Sequence, residues 1–279
     1  MSERDFNISL RRDSHGGGLL SELEGTAAAF SARTRMVLLF HGYNLSRSKA
    51  DAVYAPFKAA LLNNALALIG QIGFAHWPGD ASFPVISEAS YLWRVRTAIQ
   101  CSPDLARYIE ERVDVNGYPT QVVIIAHSLG CRLAIEALLR LAPERRKSVR
   151  LIMMAAAYPV ALAEANSATL VLMRPMVFYS RKDWVLSLVF PLGEMIRGQV
   201  GPGLPEAVGH AGLPADGTWS MSKEMVGYQH GTYWNDQGTT ASLICAALGL
   251  PATVAIVSRE IPDQPVRRRS LPERDLPDR

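Results

Sequence analysis

The sequence predicts an α/β protein, with a mainly parallel central sheet and helices on both faces. Short continuous apolar runs rich in Val and Ile recur along the chain, as in strands buried on both sides. Segments with helical apolar spacing separate them, the alternation that parallel β-α-β connections require. The composition bounds the class. With 279 residues, 48% hydrophobic and 20% charged, the chain can bury one large core and is too apolar for wholesale disorder.

Phe6 to Arg12 alternates apolar and polar residues (Phe6, Ile8, Leu10) and is expected to be an edge strand, ended by Gly16-Gly17-Gly18. Residues 19–33 match neither helix nor strand. Met36-Val37-Leu38-Leu39-Phe40 reads as a buried strand. Between Lys49 and Ile69, Val53, Phe57, Ala60, Leu61 and Leu68 recur at helical spacing, and Pro56 leaves the helix start open. Ile72 to Ala75 is a short strand before the turn Trp77-Pro78-Gly79-Asp80. A helix is expected over Pro103–Val113, capped by Ser102 with Pro103 at its first position.

Gln121 to Ala126, with Val122-Val123-Ile124-Ile125, is the strongest strand, and a helix over Leu129–Leu141 follows it directly. Val149–Met154 and Met176–Tyr179 are further strands. The Gly- and Pro-rich stretch from Asp183 to His230 reads mostly as loop, with 184–229 a candidate lid. Its apolar start, Trp184 to Phe190, suits core, or contact with a lipid or long acyl chain. A last helix spans about Thr240–Leu248. Residues 1–260 are then expected to form a single domain, and the segment from about Ile261 a Pro- and charge-rich disordered tail. Arg267-Arg268-Arg269 in that tail is nearly cancelled by Asp263, Glu273, Asp275 and Asp278.

Several function classes fall away on charge and cysteine usage. Twenty-nine basic residues against 26 acidic give a net +3, without the concentrated basic face of a nucleic-acid partner. Cys101, Cys131 and Cys245 are odd in number and widely spaced, which suits neither a disulfide framework nor a metal knuckle and points to a reducing compartment. Met1-Ser2-Glu3-Arg4-Asp5 lacks the basic-then-apolar pattern of a secretory signal. No run reaches the roughly 18 apolar residues of a membrane span. The expectation is a cytoplasmic protein without an integral membrane segment.

Ligand sites in such sheets lie at the carboxyl ends of the strands. Ala126-His127-Ser128-Leu129-Gly130 occupies that position between the best strand and a helix. It has the layout of the nucleophile elbow Gly-x-Ser-x-Gly, with Ala126 one methyl larger than the first glycine. Ser128 is therefore the candidate nucleophile; the plainer reading is a helix-capping serine. A serine needs a base, and the base an orienting carboxylate. In the elbow architecture they follow in the order acid, then histidine. Asp183 follows the strand Met176–Tyr179 and is the candidate acid, with Asp216 and Asp236 in reserve. Of the two later histidines, His230 precedes the last helix and is favoured over His210.

An oxyanion hole takes backbone N–H groups from the residue after the nucleophile and from an earlier strand-end loop. Leu129 and Tyr43, in His41-Gly42-Tyr43-Asn44, fill those places. A substrate pocket is expected to involve Gly42, Trp77, His127 and Trp184, with His127 mainly packing. Tyr43, Trp93, Tyr233 and Trp234 fit that pocket or aromatic packing equally well. His15 and His76 have no assigned role, and Cys131 is expected to be buried and inert.

The His41-Gly42-Tyr43-Asn44 loop, the Trp77–Asp80 turn and the Ala126–Gly130 elbow together resemble the α/β-hydrolase superfamily over most of residues 35–250. Within it they are similar to a bacterial esterase- or lipase-like group of unknown function. The resemblance implies the α/β-hydrolase fold, a Ser128–Asp183–His230 triad, an acyl-enzyme route without metal or organic cofactor, and a small-molecule ester or acyl substrate. Amidase, thioesterase and acyltransferase chemistry use the same residues, and a non-catalytic binding or signalling module is the alternative of a different class.

Overall fold

The computed structural model describes residues 6–11, 35–80, 88–112, 121–196, 204–212, 219 and 221–250. The expectations for residues 12–34, for parts of the candidate lid and for the tail lie outside these residues.

Among the described residues, seven strands form one sheet in which every pairing is parallel: β1 (Phe6–Ser9), β2 (Arg35–Phe40), β3 (Ile72–His76), β4 (Gln121–His127), β5 (Val149–Met154), β6 (Met176–Tyr179) and β7 (Met221–Glu224). Their order is β1-β3-β2-β4-β5-β6-β7. The chain leaves β2 toward one edge, to β3, and later leaves β4 toward the other, to β5. Parallel crossovers share one hand, so helix α1 (Arg47–Asn64), which follows β2, and helix α3 (Leu129–Leu138), which follows β4, fall on opposite faces. The helices pack in two groups accordingly: α1 against Thr232–Asn235 and Gln237–Ala247, and α3 against α2 (Glu88–Arg112), which also meets Phe190–Ile196. Between the carboxyl ends of β2 and β4 the connections diverge to opposite faces, the switch point at which ligands usually bind in such sheets.

Burial explains the central strands. Met36–Phe40 and Val122–Ala126 are 0% exposed, because helices cover both faces and only apolar side chains can be placed there without unpaired polar groups. In α1, Ser46 caps the first turn by accepting from Lys49 N, and Ala50, Tyr54, Phe57 and Leu61 form the buried stripe. Pro56 lies inside this helix. The carbonyl it leaves without a donor belongs to Ala52, which is exposed to water.

Two expectations are corrected. Helix α2 begins at Glu88 rather than Pro103 and carries Pro103 internally. The proline removes the N–H that would bond the Ile99 carbonyl, and Ser102 Oγ donates to that oxygen instead at 2.7 Å. Ser102 thus repairs a helix rather than starting one. The stretch after Asp183 is also more ordered in secondary structure than its composition implied. It holds a wide helical turn (Val185–Val189), the helix Phe190–Ile196, the turn Val208–Ala211 and β7. Met221-Ser222-Lys223-Glu224 has no apolar pattern because this edge strand, largely exposed, is held by backbone pairing to β6.

Candidate active site

The turn from β4 into α3 is made in a single residue. Ser128 has φ 54° and ψ −125°, a region that costs a non-glycine residue about 1–3 kcal/mol. The surroundings hold it there: its N–H donates to Met154 O at 3.0 Å, and its carbonyl accepts from Cys131 N at 3.0 Å and Ala157 N at 3.2 Å. A Cβ on Gly130 would lie 2.4 Å from His41 O and 3.1 Å from Phe40 O, so the first turn of α3 presses directly on the end of β2. Ala126, paired with Phe40 and Met153 inside the sheet, is fully buried.

Three side chains from three strand ends meet in line. His230 Nε2 lies 2.8 Å from Ser128 Oγ, and His230 Nδ1 lies 2.8 Å from Asp183 Oδ2. A carboxylate oxygen only accepts, so Nδ1 is the donor of that contact, and in the neutral ring Nε2 is then left to accept from the serine hydroxyl. Asp183 is fully buried in the turn after β6. Its other oxygen accepts from Val185 N and Leu186 N, both at 3.1 Å, so the first N–H groups of the following helical turn fix the carboxylate. His210 stands elsewhere, with Nδ1 3.6 Å from Glu206 Oε1. Asp236 accepts from the Tyr228 hydroxyl and caps Thr239 N, and Asp216 is outside the described residues.

The loop that carries His230 is tied on both sides. Ser180 Oγ, beyond β6, donates to Tyr228 O at 2.7 Å. His127, the last residue of β4, places Nε2 2.7 Å from His230 O. A carbonyl only accepts, so Nε2 carries the proton of a neutral ring. His127 is 5% exposed. Burial, with His230 close by, pulls its pKa down to about 3. Expected beside the substrate, it is instead a buried tether of the histidine loop, and nothing in the sequence distinguishes the two roles. Burial also raises the pKa of the Cys131 thiol well above its ordinary value, consistent with an inert cysteine.

The loop after β2 closes over the serine. A Cβ on Gly42 would lie 2.8 Å from Ser128 Cβ, 2.9 Å from His127 Nδ1 and 3.3 Å from Ser128 Oγ, so only glycine fits without displacement. His41 N donates to the Tyr54 hydroxyl at 2.6 Å, and that hydroxyl donates to Ala75 O at 2.9 Å. Trp77 Nε1 donates to His41 O at 2.8 Å, and the two rings stack with centroids 5.6 Å apart. Asn44, at φ 63°, donates from its N–H to Gly79 O at 2.8 Å. The Trp77–Asp80 turn is therefore the underside of the loop.

Trp77, expected at the pocket, is fully buried and supports the backbone instead. Tyr233 and Trp234 are likewise core, Trp234 edge-on to Tyr54 and Phe57. Trp93 and Trp184 are open to solvent. Desolvation holds His41 and His76 neutral, with pKa values lowered to about 4 and about 3. Asp51 Oδ1 lies 3.2 Å from His76 Nε2 without hydrogen-bond geometry, and burial outweighs it.

Leu129 is the first residue of α3, a position whose N–H has no acceptor within its own helix. Tyr43 follows Gly42 on the overlying loop. Among the described residues, no helix is long and apolar enough to cross a membrane.

Residues 25–211 match the family model described as "Alpha/beta hydrolase of unknown function (DUF900)". No curated protein matches. Three solved structures share 12–13% identity. An uncharacterized protein from Bacillus cereus ATCC 10987 is 13% identical with a TM-score of 0.43, over 78% of this chain and 60% of that one, so the present chain spans about 60% of its length. Arabidopsis thaliana SOBER1 is 13% identical with a TM-score of 0.44, over 78% and 100%. The catalytic core domain of acetyl xylan esterase from Trichoderma reesei is 12% identical with a TM-score of 0.41, over 76% and 97%.

Proposed function

The chain belongs to this α/β-hydrolase family of unknown function, and we propose that it is a serine hydrolase that cleaves carboxylic esters through an acyl-enzyme. The observation that carries the reading is the unbroken relay from Ser128 Oγ through His230 to Asp183, two contacts of 2.8 Å, anchored at a backbone turn of positive φ. A helix-capping serine needs neither the strained turn nor a histidine that is itself oriented by a buried carboxylate.

In this reading His230 takes the Ser128 proton as Oγ attacks the ester carbonyl. The developing oxyanion accepts from the N–H groups of Leu129 and Tyr43, a contribution of about 3–4 kcal/mol for each well-placed donor. His230 then protonates the leaving alcohol, and a water activated by the same ring releases the acid and restores the serine. Asp183 keeps Nε2 facing the serine and stabilises the imidazolium as it forms.

Fluorophosphonate probes react with a serine activated by its base. Wild-type protein is expected to label, while Ser128→Ala and His230→Ala lose labelling and ester hydrolysis by about four to six orders of magnitude. A folded wild type that neither labels nor hydrolyses p-nitrophenyl esters would overturn the proposal in favour of a binding module.

A further inference from the structure

The segment that follows Asp183 is apolar on the wrong side as well as the right one. Its inner face buries Leu186 and Phe190. Its outer face exposes Trp184 (51%), Leu188 (62%), Leu192 (48%) and Ile196 (55%), four residues apart throughout. Four-residue spacing aligns them as one stripe along the helical turns. A helix apolar all round normally lies within a core, and a continuous exposed patch marks an interaction surface.

Charge narrows the occupant. Between residues 181 and 196 the ionisable side chains are Arg181, Lys182, Asp183 and Glu194. Both acids are buried, Asp183 against His230 and Glu194 in a 3.0 Å pair with Arg132. Both bases are exposed and stand beside Trp184 at the start of the stripe. Within residues 181–196 the outer face is therefore cationic at one end, apolar along its length and free of exposed carboxylates. That pairing suits an anionic lipid surface, which attracts Lys and Arg and takes up Trp and Leu at the headgroup boundary. A second copy of the chain would present the same cationic face, and like charges gain nothing from each other.

We propose that residues 181–196 dock the protein on an anionic lipid surface, with Arg181 and Lys182 at the headgroups and the Trp184–Ile196 stripe in the interface. The triad acid precedes Trp184 by one residue, so docking sets the membrane beside the candidate site. This docking does not require the hydrolase reading.

The test is sedimentation of the full chain with vesicles of phosphatidylcholine alone or mixed with phosphatidylglycerol. The mixed vesicles are expected to bind it, and high salt to weaken the binding. Arg181→Glu and Lys182→Glu are each expected to lower the partition coefficient about fivefold or more. L188E/L192E, substituted at exposed positions, is expected to lower it at least about tenfold while hydrolysis of a water-soluble ester and the thermal melt stay unchanged. Ser128→Ala is expected to bind like wild type, which separates docking from catalysis. No binding to the mixed vesicles, or equal binding by L188E/L192E, would overturn the proposal. So would self-association of the free protein that L188E/L192E abolishes, since the stripe would then cover a second copy.

Discussion

His127 reaches past the serine beside it and places its Nε2 2.7 Å from the carbonyl oxygen of His230. The strand that delivers the candidate nucleophile thereby also holds the backbone of the candidate base, and the two rings sit 4.9 Å apart.

Breaking that bond should disturb orientation more than substrate affinity. His127→Phe is expected to lower kcat about 10- to 100-fold with KM little changed, because a small misplacement of a catalytic group is that costly. His127→Gln keeps an N–H donor on a chain of similar reach and is expected to recover most of the rate. Steady-state kinetics on a soluble ester, with the thermal melts alongside, separate this role from a purely structural one, which would lower stability without the kcat-specific loss or the rescue.

Gly42 is constrained by its neighbours rather than by its backbone angles. A methyl there would meet Ser128 Cβ at 2.8 Å and His127 Nδ1 at 2.9 Å. Gly42→Ala should lift the loop away from the serine and cost about 100- to 1,000-fold in kcat, the usual loss of an oxyanion donor. Circular dichroism is expected to stay native, so that the defect reads as local.

Acid should unfold this protein early. His41, His76 and His127 are buried, and desolvation lowers their pKa values to about 4, 3 and 3. In the unfolded chain each returns to about 6.5. From about pH 6.5 down to 4 the unfolded state binds protons that the folded state refuses. Stability therefore rises with pH through that window and is lost as pH falls, by at most about 4 kcal/mol per pH unit for three such groups. Urea titrations at stepped pH between 4 and 7 check the slope; a flat profile would contradict it.

Arg132 and Glu194, each 1% exposed, join α3 to the helix Phe190–Ile196. Removing Arg132 takes a charged partner from the buried Glu194 carboxylate. Arg132→Met is expected to cost about 3–5 kcal/mol, and the double replacement R132M/E194M to regain much of it, since apolar side chains can replace such a pair. Chemical denaturation of both variants measures the difference.

The central strands were legible because burial on both faces leaves only apolar residues usable, so that Met36–Phe40 and Val122–Ala126 stand out without any knowledge of their neighbours. The elbow was legible because its constraint is local: Ser128 must turn a strand into a helix in one residue, and Gly130 must let that helix touch β2. The start of helix α2 is not legible because the repair of Pro103 by Ser102 Oγ looks in sequence like a cap. Strand β7 was hidden because an exposed edge strand is held by its backbone and needs no apolar pattern.

The candidate site divides the same way. Residue types and chain order pointed to Ser128, to Asp183 ahead of Asp216 and Asp236, and to His230 ahead of His210, since Ser128 and Asp183 each follow a recognisable strand and His230 precedes the last helix. Only the tertiary structure decided that His230 rather than His210 faces the serine, that Trp77 lies beneath the loop rather than in a pocket, and that His127 ties the base to β4. Those relationships depend on which strand ends lie side by side. That order comes from crossover handedness and packing across more than 100 residues of chain, and no local spacing encodes it.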